Sequence, residues 1–331
     1  MNFLKALVLL VIGFVFLIKG ADFFVDGASS LARKLRVPPL IIGLTIVAIG
    51  TSLPELSVSL SAAMRGQNAL AVSNVIGSNI FNLLGVLGFS ALFQELKVSR
   101  DVFKRDYPLS VIFAGLLLLF AFTGMTLGRE EGIIFLALLL VYLVVVVREA
   151  LRMRKLSLER ELDKSDEAYE EELDEESETV SKDHPIWVSL VMIVGGAIAI
   201  KFGGDWVVDG AVLFAELLGI SENIIGLTIV AIGTSLPELV TSIVAARRGE
   251  LDMSVGNVVG SNIFNILGVL GVSASISPIA IITDNLIDLI VLIVFSLITL
   301  VFCCTGKRID KKEGLTMILM YVFYSVYICM R

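Results

Sequence analysis

"GLTIVAIGTSLPEL" occupies residues 43–56 and returns unchanged at 226–239. A run this apolar has no local reason to hold a proline, two hydroxyls and a glutamate at its centre. Working outward, the identity extends from Ile41–Leu56 to Ile224–Leu239. "GSNIFN" at 77–82 returns at 260–265, and "LGVLG" at 84–88 returns at 267–271. One offset, 183 residues, relates all these blocks without an insertion. It also pairs Asp22 with Asp205 and Asp26 with Asp209. The chain is a duplicated unit, and fixed-period self-similarity outranks every local reading.

The 331 residues are 56% hydrophobic, with a mean hydropathy of +0.89. Soluble domains carry about 45–50% apolar residues, so this composition calls for lipid. Apolar stretches of bilayer-crossing length, about 20 residues, fall near 4–26, 38–63, 69–93, 108–127, 131–148, 186–210, 221–246, 253–280, 285–305 and 313–330. Helices satisfy their own backbone in hydrocarbon. The expected fold is therefore all-α: a polytopic membrane protein of ten transmembrane helices arranged as two inverted five-helix repeats. Residues 1–148 form the first repeat, 149–184 an acidic, partly disordered linker, and 185–331 the second. The N-terminus has the look of a secretory signal, but the stretch following it belongs to the repeat.

Five spans per copy set the second copy upside down relative to the first. Charge agrees. If the linker is cytoplasmic, its side carries Arg33, Lys34, Arg36, Lys97, Arg100, Lys104, Arg105, Arg247, Arg248, Lys307, Arg308, Lys311 and Lys312, whereas the other side keeps only Lys5, Arg65, Arg129 and Arg331. That asymmetry obeys the positive-inside rule and places both termini outside the cell membrane. Inverted repeats with a midplane site typify secondary transporters. Lys19 and Lys201 stand near Asp22 and Asp205 and are read as locally paired or snorkelling.

The quoted stretch supplies chemistry. Pro54 has no N–H for the carbonyl of Gly50, and Pro237 has none for Gly233; the carbonyls of Thr51 and Thr234 flank the same breaks. The hydroxyls of Thr51, Ser52, Thr234 and Ser235 add neutral oxygen. A carboxylate at the bilayer centre costs at least ~2.5–3.5 kcal/mol, yet Glu55 and Glu238 occupy equivalent places. Two such groups facing each other need a cation or a shared proton. An all-oxygen set suits Ca2+, which takes six to eight such ligands, and also Na+. In the second motif Ser78 with Asn82, and Ser261 with Asn265, share a helix face at i, i+4. Asn79 and Asn262 point elsewhere and are read as packing residues.

Other classes fit less well. No basic patch with interleaved aromatics points to nucleic acid. The single histidine, His184, leaves no histidine metal site and no Ser–His hydrolase. A channel would use rings of acids. Cys303, Cys304 and Cys329 are read as small core residues. The linker starts basic, suited to anionic headgroups, and ends as a solvated acidic run.

These motifs resemble the α-repeats of the cation/Ca2+ exchanger superfamily, most closely the prokaryotic Na+/Ca2+ exchangers. The likeness covers about 20–90 and 203–273. It implies ten helices, with the first and sixth sliding over a fixed core, and four cation sites in a diamond. By resemblance, Glu55 and Glu238 bind Ca2+ with the backbone oxygens of Thr51 and Thr234. Ala48 and Ala231 lend carbonyls to flanking Na+ sites, where Ser52, Ser235, Ser78 and Ser261 add hydroxyls. Asn82 and Asn265 line the middle position. Relatives often carry aspartate where this chain has Asn265, so the site holds two formal charges and K+ cotransport is not expected. Proton-coupled relatives use amides there, which keeps H+/Ca2+ antiport as the alternative to Na+/Ca2+ antiport. The resemblance implies no enzyme activity, no cofactor beyond the transported Ca2+ and Na+, and a monomer in the lipid bilayer.

Overall fold

The computed structural model describes residues 2–167, 184–219, 231–304 and 306–330. The main helices are α1 (Asn2–Leu35), α2 (Pro39–Thr51), α3 (Leu53–Met64), α4 (Leu70–Phe93), α5 (Val102–Gly124) and α6 (Arg129–Glu167) in the first half. In the second half they are α7 (Ile186–Leu217), α8 (Leu236–Arg247), α9 (Leu251–Ile276), α10 (Thr283–Cys304) and α11 (Lys311–Met330). Counting α2 and α3 as one bent span, nine of the ten expected crossings lie among the described residues. The tenth, 221–246, is represented by α8, and its first residues lie outside them. So does the acidic end of the linker, while its basic start continues α6 as helix.

Four two-residue strands report the topology. β1 (Leu96–Lys97) pairs antiparallel with β4 (Arg308–Ile309), and β2 (Thr126–Leu127) with β3 (Ile279–Ala280). β1 and β3 are repeat equivalents, yet each pairs with a strand from the other half at the opposite end of the bundle. Equivalent loops thus sit on opposite faces, as inversion requires. The strongly basic loops around β1 and β4 share one face.

The layering follows burial. Windows of α4 and α9 are 83% and 78% buried, against 17–33% for the outer spans. These two central helices carry the "GSNIFN" motifs. Outer helices expose Phe3, Leu140, Phe122 and Phe323 to the surroundings, the surface a bilayer would cover. Cys303 is buried, but Cys304 and Cys329 are exposed, which corrects their reading as core residues: they lie at the C-terminal ends of α10 and α11, where packing thins.

α1 and α7 pack antiparallel outside this core through glycines spaced by seven. A Cβ on Gly203 would lie 2.5 Å from the Leu17 amide, and one on Gly20 2.8 Å from that of Ile200. Only glycine permits such backbone contact. Both helices outrun the expected spans 4–26 and 186–210. Hydropathy drops at Asp22, Asp26, Asp205 and Asp209, but the helices continue, and three of these acids find partners. Lys19 lies 3.8 Å from Asp22, Lys201 2.6 Å from Asp205, and Arg248 reaches Asp22 and Asp26 at 3.2 and 3.5 Å.

Candidate cation site

The proline breaks fall where the sequence puts them. α2 stops at Thr51 and α3 resumes at Leu53, with a 46° bend. Ser52 sits at the joint with φ −88° and ψ 9°, and Ser235 matches it at −93° and 6°. The ladder restarts when the Leu56 amide donates to Ser52 O, and the Leu239 amide to Ser235 O. The carbonyl that proline would have bonded, Gly50 or Gly233, has no amide proton to accept at that position.

At this joint the two halves exchange contacts. The Ser52 hydroxyl donates to Glu238 Oε1 at 2.8 Å, and the Ser235 hydroxyl donates to Glu55 Oε1 at 3.1 Å. Each carboxylate is therefore gripped by the opposite repeat. Its own repeat adds a second hydroxyl: Ser78 lies 3.5 Å from Glu55 Oε1 and Ser261 3.5 Å from Glu238 Oε1. Both glutamates are 0% exposed, and Oε2 of each has no hydrogen-bond partner among the described residues.

Neutral oxygen surrounds the pair. The Thr51 hydroxyl lies 3.3 Å from Ala48 O, 3.2 Å from Asn257 Oδ1 and 3.5 Å from Ser261 Oγ. Ser261 Oγ also lies 3.4 Å from Ala48 O. Both side-chain polar atoms of Asn82, and Asn265 Oδ1, have no hydrogen-bond partner among the described residues. Of the residues singled out from sequence, Thr51, Ser52, Glu55, Ser78, Asn82, Ser235, Glu238, Ser261 and Asn265 are all buried, most at 0% exposure. Ala48 joins them through its carbonyl. Ala231 opens a short helical turn, Ala231–Gly233, ahead of the second break.

Buried polar atoms are nearly always paired, and leaving one unpaired costs about 1–3 kcal/mol. Several such oxygens around two carboxylates make a set that a hard cation would satisfy. Among the described residues no cluster of three or more acidic, histidine or cysteine side chains forms, so any further ligand would be neutral oxygen.

Helix geometry presents the asparagines. α4 and α9 switch to π-helical turns at Asn82–Val86 and Asn265–Leu270, a widening frequent at functional sites. Glycine permits it: a Cβ on Gly85 would meet the Phe81 ring at 2.6 Å, and one on Gly268 the Phe264 ring at 2.8 Å. Asn79 and Asn262 clasp the halves, each amide donating to the other's backbone carbonyl at 3.1 and 3.3 Å, in line with a packing role. Asn79 Oδ1 also accepts from Asn265 Nδ2 at 3.1 Å.

A supporting layer escaped the sequence reading. Asn257 Nδ2 donates to Ser242 Oγ at 2.9 Å and lies 3.5 Å from Glu238 O. Asn74 Nδ2 does the same with Ser59 Oγ at 2.9 Å and Glu55 O at 3.3 Å. The signal existed: Ser59/Ser242 and Asn74/Asn257 are isolated polar identities at the repeat offset. A cavity of about 120 Å³ separates Ala197 and Lys201 of α7 from Thr51, Pro54 and Pro237.

Comparison with known proteins agrees with this geometry. The family described as "Sodium/calcium exchanger protein" matches residues 5–148 and 188–330, one segment per repeat. The chain is 36% identical over 344 residues to the sodium/calcium exchanger MaX1 of Methanosarcina acetivorans, covering 96% of this chain and 97% of that one. It is 39% identical over 300 residues to the inner membrane protein YrbG of Escherichia coli K12, covering 89% of each. Among solved structures, the sodium-calcium exchanger NCX_Mj, soaked with Na+ and Sr2+, superposes with a TM-score of 0.79 at 30% identity over 97% of each chain. Matched across both repeats and nearly end to end, the chain is a membrane transporter and belongs to the sodium/calcium exchanger family.

Proposed function

We propose that the chain is a secondary-active antiporter exchanging Na+ for Ca2+ by alternating access, with Glu55 and Glu238 as ligands shared by both ions. One observation carries the reading: each buried carboxylate is fixed through Oε1 by a serine of the other repeat and keeps Oε2 free of any hydrogen bond. Two negative charges balance one Ca2+ or two Na+. A third Na+ would rest on neutral oxygens of Ser52, Ser235, Ser78, Ser261, Ala48 and Ala231, or require a protonated group. Because both ions need the same carboxylates, they exclude each other, and exclusion combined with two access states gives exchange. With both carboxylates bare, two like charges would be left in a low dielectric, which discourages leak. Asn82 and Asn265 would line the middle of the site.

The glycine-packed pair α1–α7 moves over the core, and the cavity beside Lys201 lies at the seam between them. The linker 149–184 is cytoplasmic, the termini are extracellular, and repeats 1–148 and 185–331 work as one monomer. Crystals of NCX_Mj, the structural neighbour, were soaked with Na+, Ca2+ and Sr2+, which supports the ion pair chosen here. Proton-coupled Ca2+ antiport is the second reading, favoured by amides at both Asn82 and Asn265. The deciding experiment reconstitutes the protein in liposomes and follows radiolabelled Ca2+ uptake under an outward Na+ gradient and, separately, a pH gradient. Uptake driven by Na+ is expected; uptake driven by pH alone overturns the Na+ assignment.

A further inference from the structure

Away from the cation site, a cavity of about 490 Å³ opens at the basic face, between the start of α5 and the end of α10. Its floor is apolar, made by Val98, Phe103 and the adjacent Cys303 and Cys304; three cations, Arg100, Lys104 and Lys307, line it. All three are exposed, and none has an ion-pair partner among the described residues. The cavity lies where two membrane spans end, Val102 opening one and Cys304 closing the other. That is the depth of lipid headgroups.

Internal symmetry supplies a control. The Val98 amide donates to Lys307 O at 3.0 Å, and at the opposite face the Ile281 amide donates to Met125 O at 2.8 Å. Lys307 and Met125 share a left-handed backbone, with φ of 55° and 50°. The two corners thus have one backbone design. At the opposite corner Thr283, Ile287 and Met125 stand where the basic corner has Arg100, Lys104 and Lys307. The fold does not need the cations. Topology would be served by positive charge anywhere in these loops; it does not require three cations converging on one apolar hollow.

We propose that this cavity binds the headgroup of an anionic phospholipid, with the phosphate among Arg100, Lys104 and Lys307 and the start of an acyl chain against Phe103 and Cys303. Basic pockets between transmembrane helices favour anionic lipids. The apolar floor and the interfacial depth select a lipid over soluble phosphate.

The test is native mass spectrometry of the full-length protein from detergent supplemented with phosphatidylglycerol or phosphatidylcholine. Retention of phosphatidylglycerol over phosphatidylcholine by on the order of a hundredfold is expected from three cations at the interface. The preference should vanish in the Arg100→Gln/Lys104→Gln/Lys307→Gln variant. It should persist in Arg154→Gln/Lys311→Gln/Lys312→Gln, which loses as much charge outside the cavity. A preference that survives the first variant, or that both variants lose equally, overturns the proposal; so does displacement of the lipid by millimolar inorganic phosphate. A second measurement keeps the cation cluster intact. In a Cys329→Ser background, phosphatidylglycerol should slow maleimide labelling of the exposed Cys304, and phosphatidylcholine should not. Equal labelling with either lipid refutes the site.

Discussion

Glu238→Gln isolates what one buried carboxylate contributes. The substitution conserves volume and leaves an amide oxygen able to accept from the Ser52 hydroxyl, which Glu238 now meets at 2.8 Å. It removes one of two formal charges and turns the unpartnered Oε2 into an NH2 group, whose hydrogens repel a cation. Glu55 alone then offsets half the charge of a Ca2+ ion. Removing one member of a buried charge pair costs about 3–5 kcal/mol, equivalent to a roughly 10²–10⁴-fold loss of affinity. An exposed carboxylate would contribute less than about 1 kcal/mol, so the magnitude itself reports burial. Titration calorimetry of the purified protein with CaCl2 in Na+-free buffer measures the difference. Glu55→Gln should fall within about tenfold of Glu238→Gln, because the same cross-repeat serine contact holds each. A Ca2+ affinity within tenfold of wild type in either variant refutes the shared site.

Other perturbations read the surrounding architecture. Ser52→Ala and Ser235→Ala each remove a hydrogen bond to a charged group, worth about 1.5–3 kcal/mol; each should weaken Ca2+ binding about 10–150-fold, and an unchanged titration would mean the serines do not hold the carboxylates. Asn257→Ala should lower the Tm in detergent more than Asn74→Ala, since Asn257 meets Thr51 as well as Ser242; equal shifts would show that the Thr51 contact contributes nothing. Gly203→Ala forces α1 and α7 apart by ~1 Å, the difference between 2.5 Å and normal contact. It should slow exchange in liposomes while leaving Ca2+ affinity within about threefold, and unaltered exchange kinetics would remove the α1–α7 interface from the transport motion.

The sequence exposed the site because duplication acts as its own comparison. Pro54 and Pro237, Glu55 and Glu238, and the serines beside them stand out as polar identities inside lipid-compatible runs. Other features were hidden for physical reasons. Helix ends at Leu35 and Leu217 were under-read because Asp22, Asp26, Asp205 and Asp209 depress hydropathy, while ion pairs of the first three offset their charge. The criss-cross of Ser52 with Glu238 and Ser235 with Glu55 could not be read, because a helix pattern fixes which face a side chain takes but not which partner waits there. The π turns at Asn82 and Asn265 depart too little from helical periodicity to mark a pattern. Ser59, Asn74, Ser242 and Asn257 were legible in principle, since the offset pairs them, but Ser59 and Ser242 stand between changed neighbours and Asn74 and Asn257 merge into the apolar run that leads to the second motif.

The two halves share a sequence at the site but not every contact. Thr51 reaches Asn257 Oδ1, whereas no equivalent contact joins Thr234 to Asn74 among the described residues. In a protein of inverted repeats, exchanging the conformations of the halves turns the molecule to face the other side. On the alternating access proposed above, a bond made in one half and missing in the other would report which side the site faces. The same proposal predicts that the opposite state would pair Thr234 with Asn74 and release Thr51. Identity of Ile41–Leu56 with Ile224–Leu239 then has a thermodynamic meaning. On the proposed mechanism an ion arriving from either side would meet the same residue types, so the composition of the site would favour neither direction. Net direction must come from the ion gradients and from the parts of the repeats that differ, and that is the condition for a carrier that can run both ways.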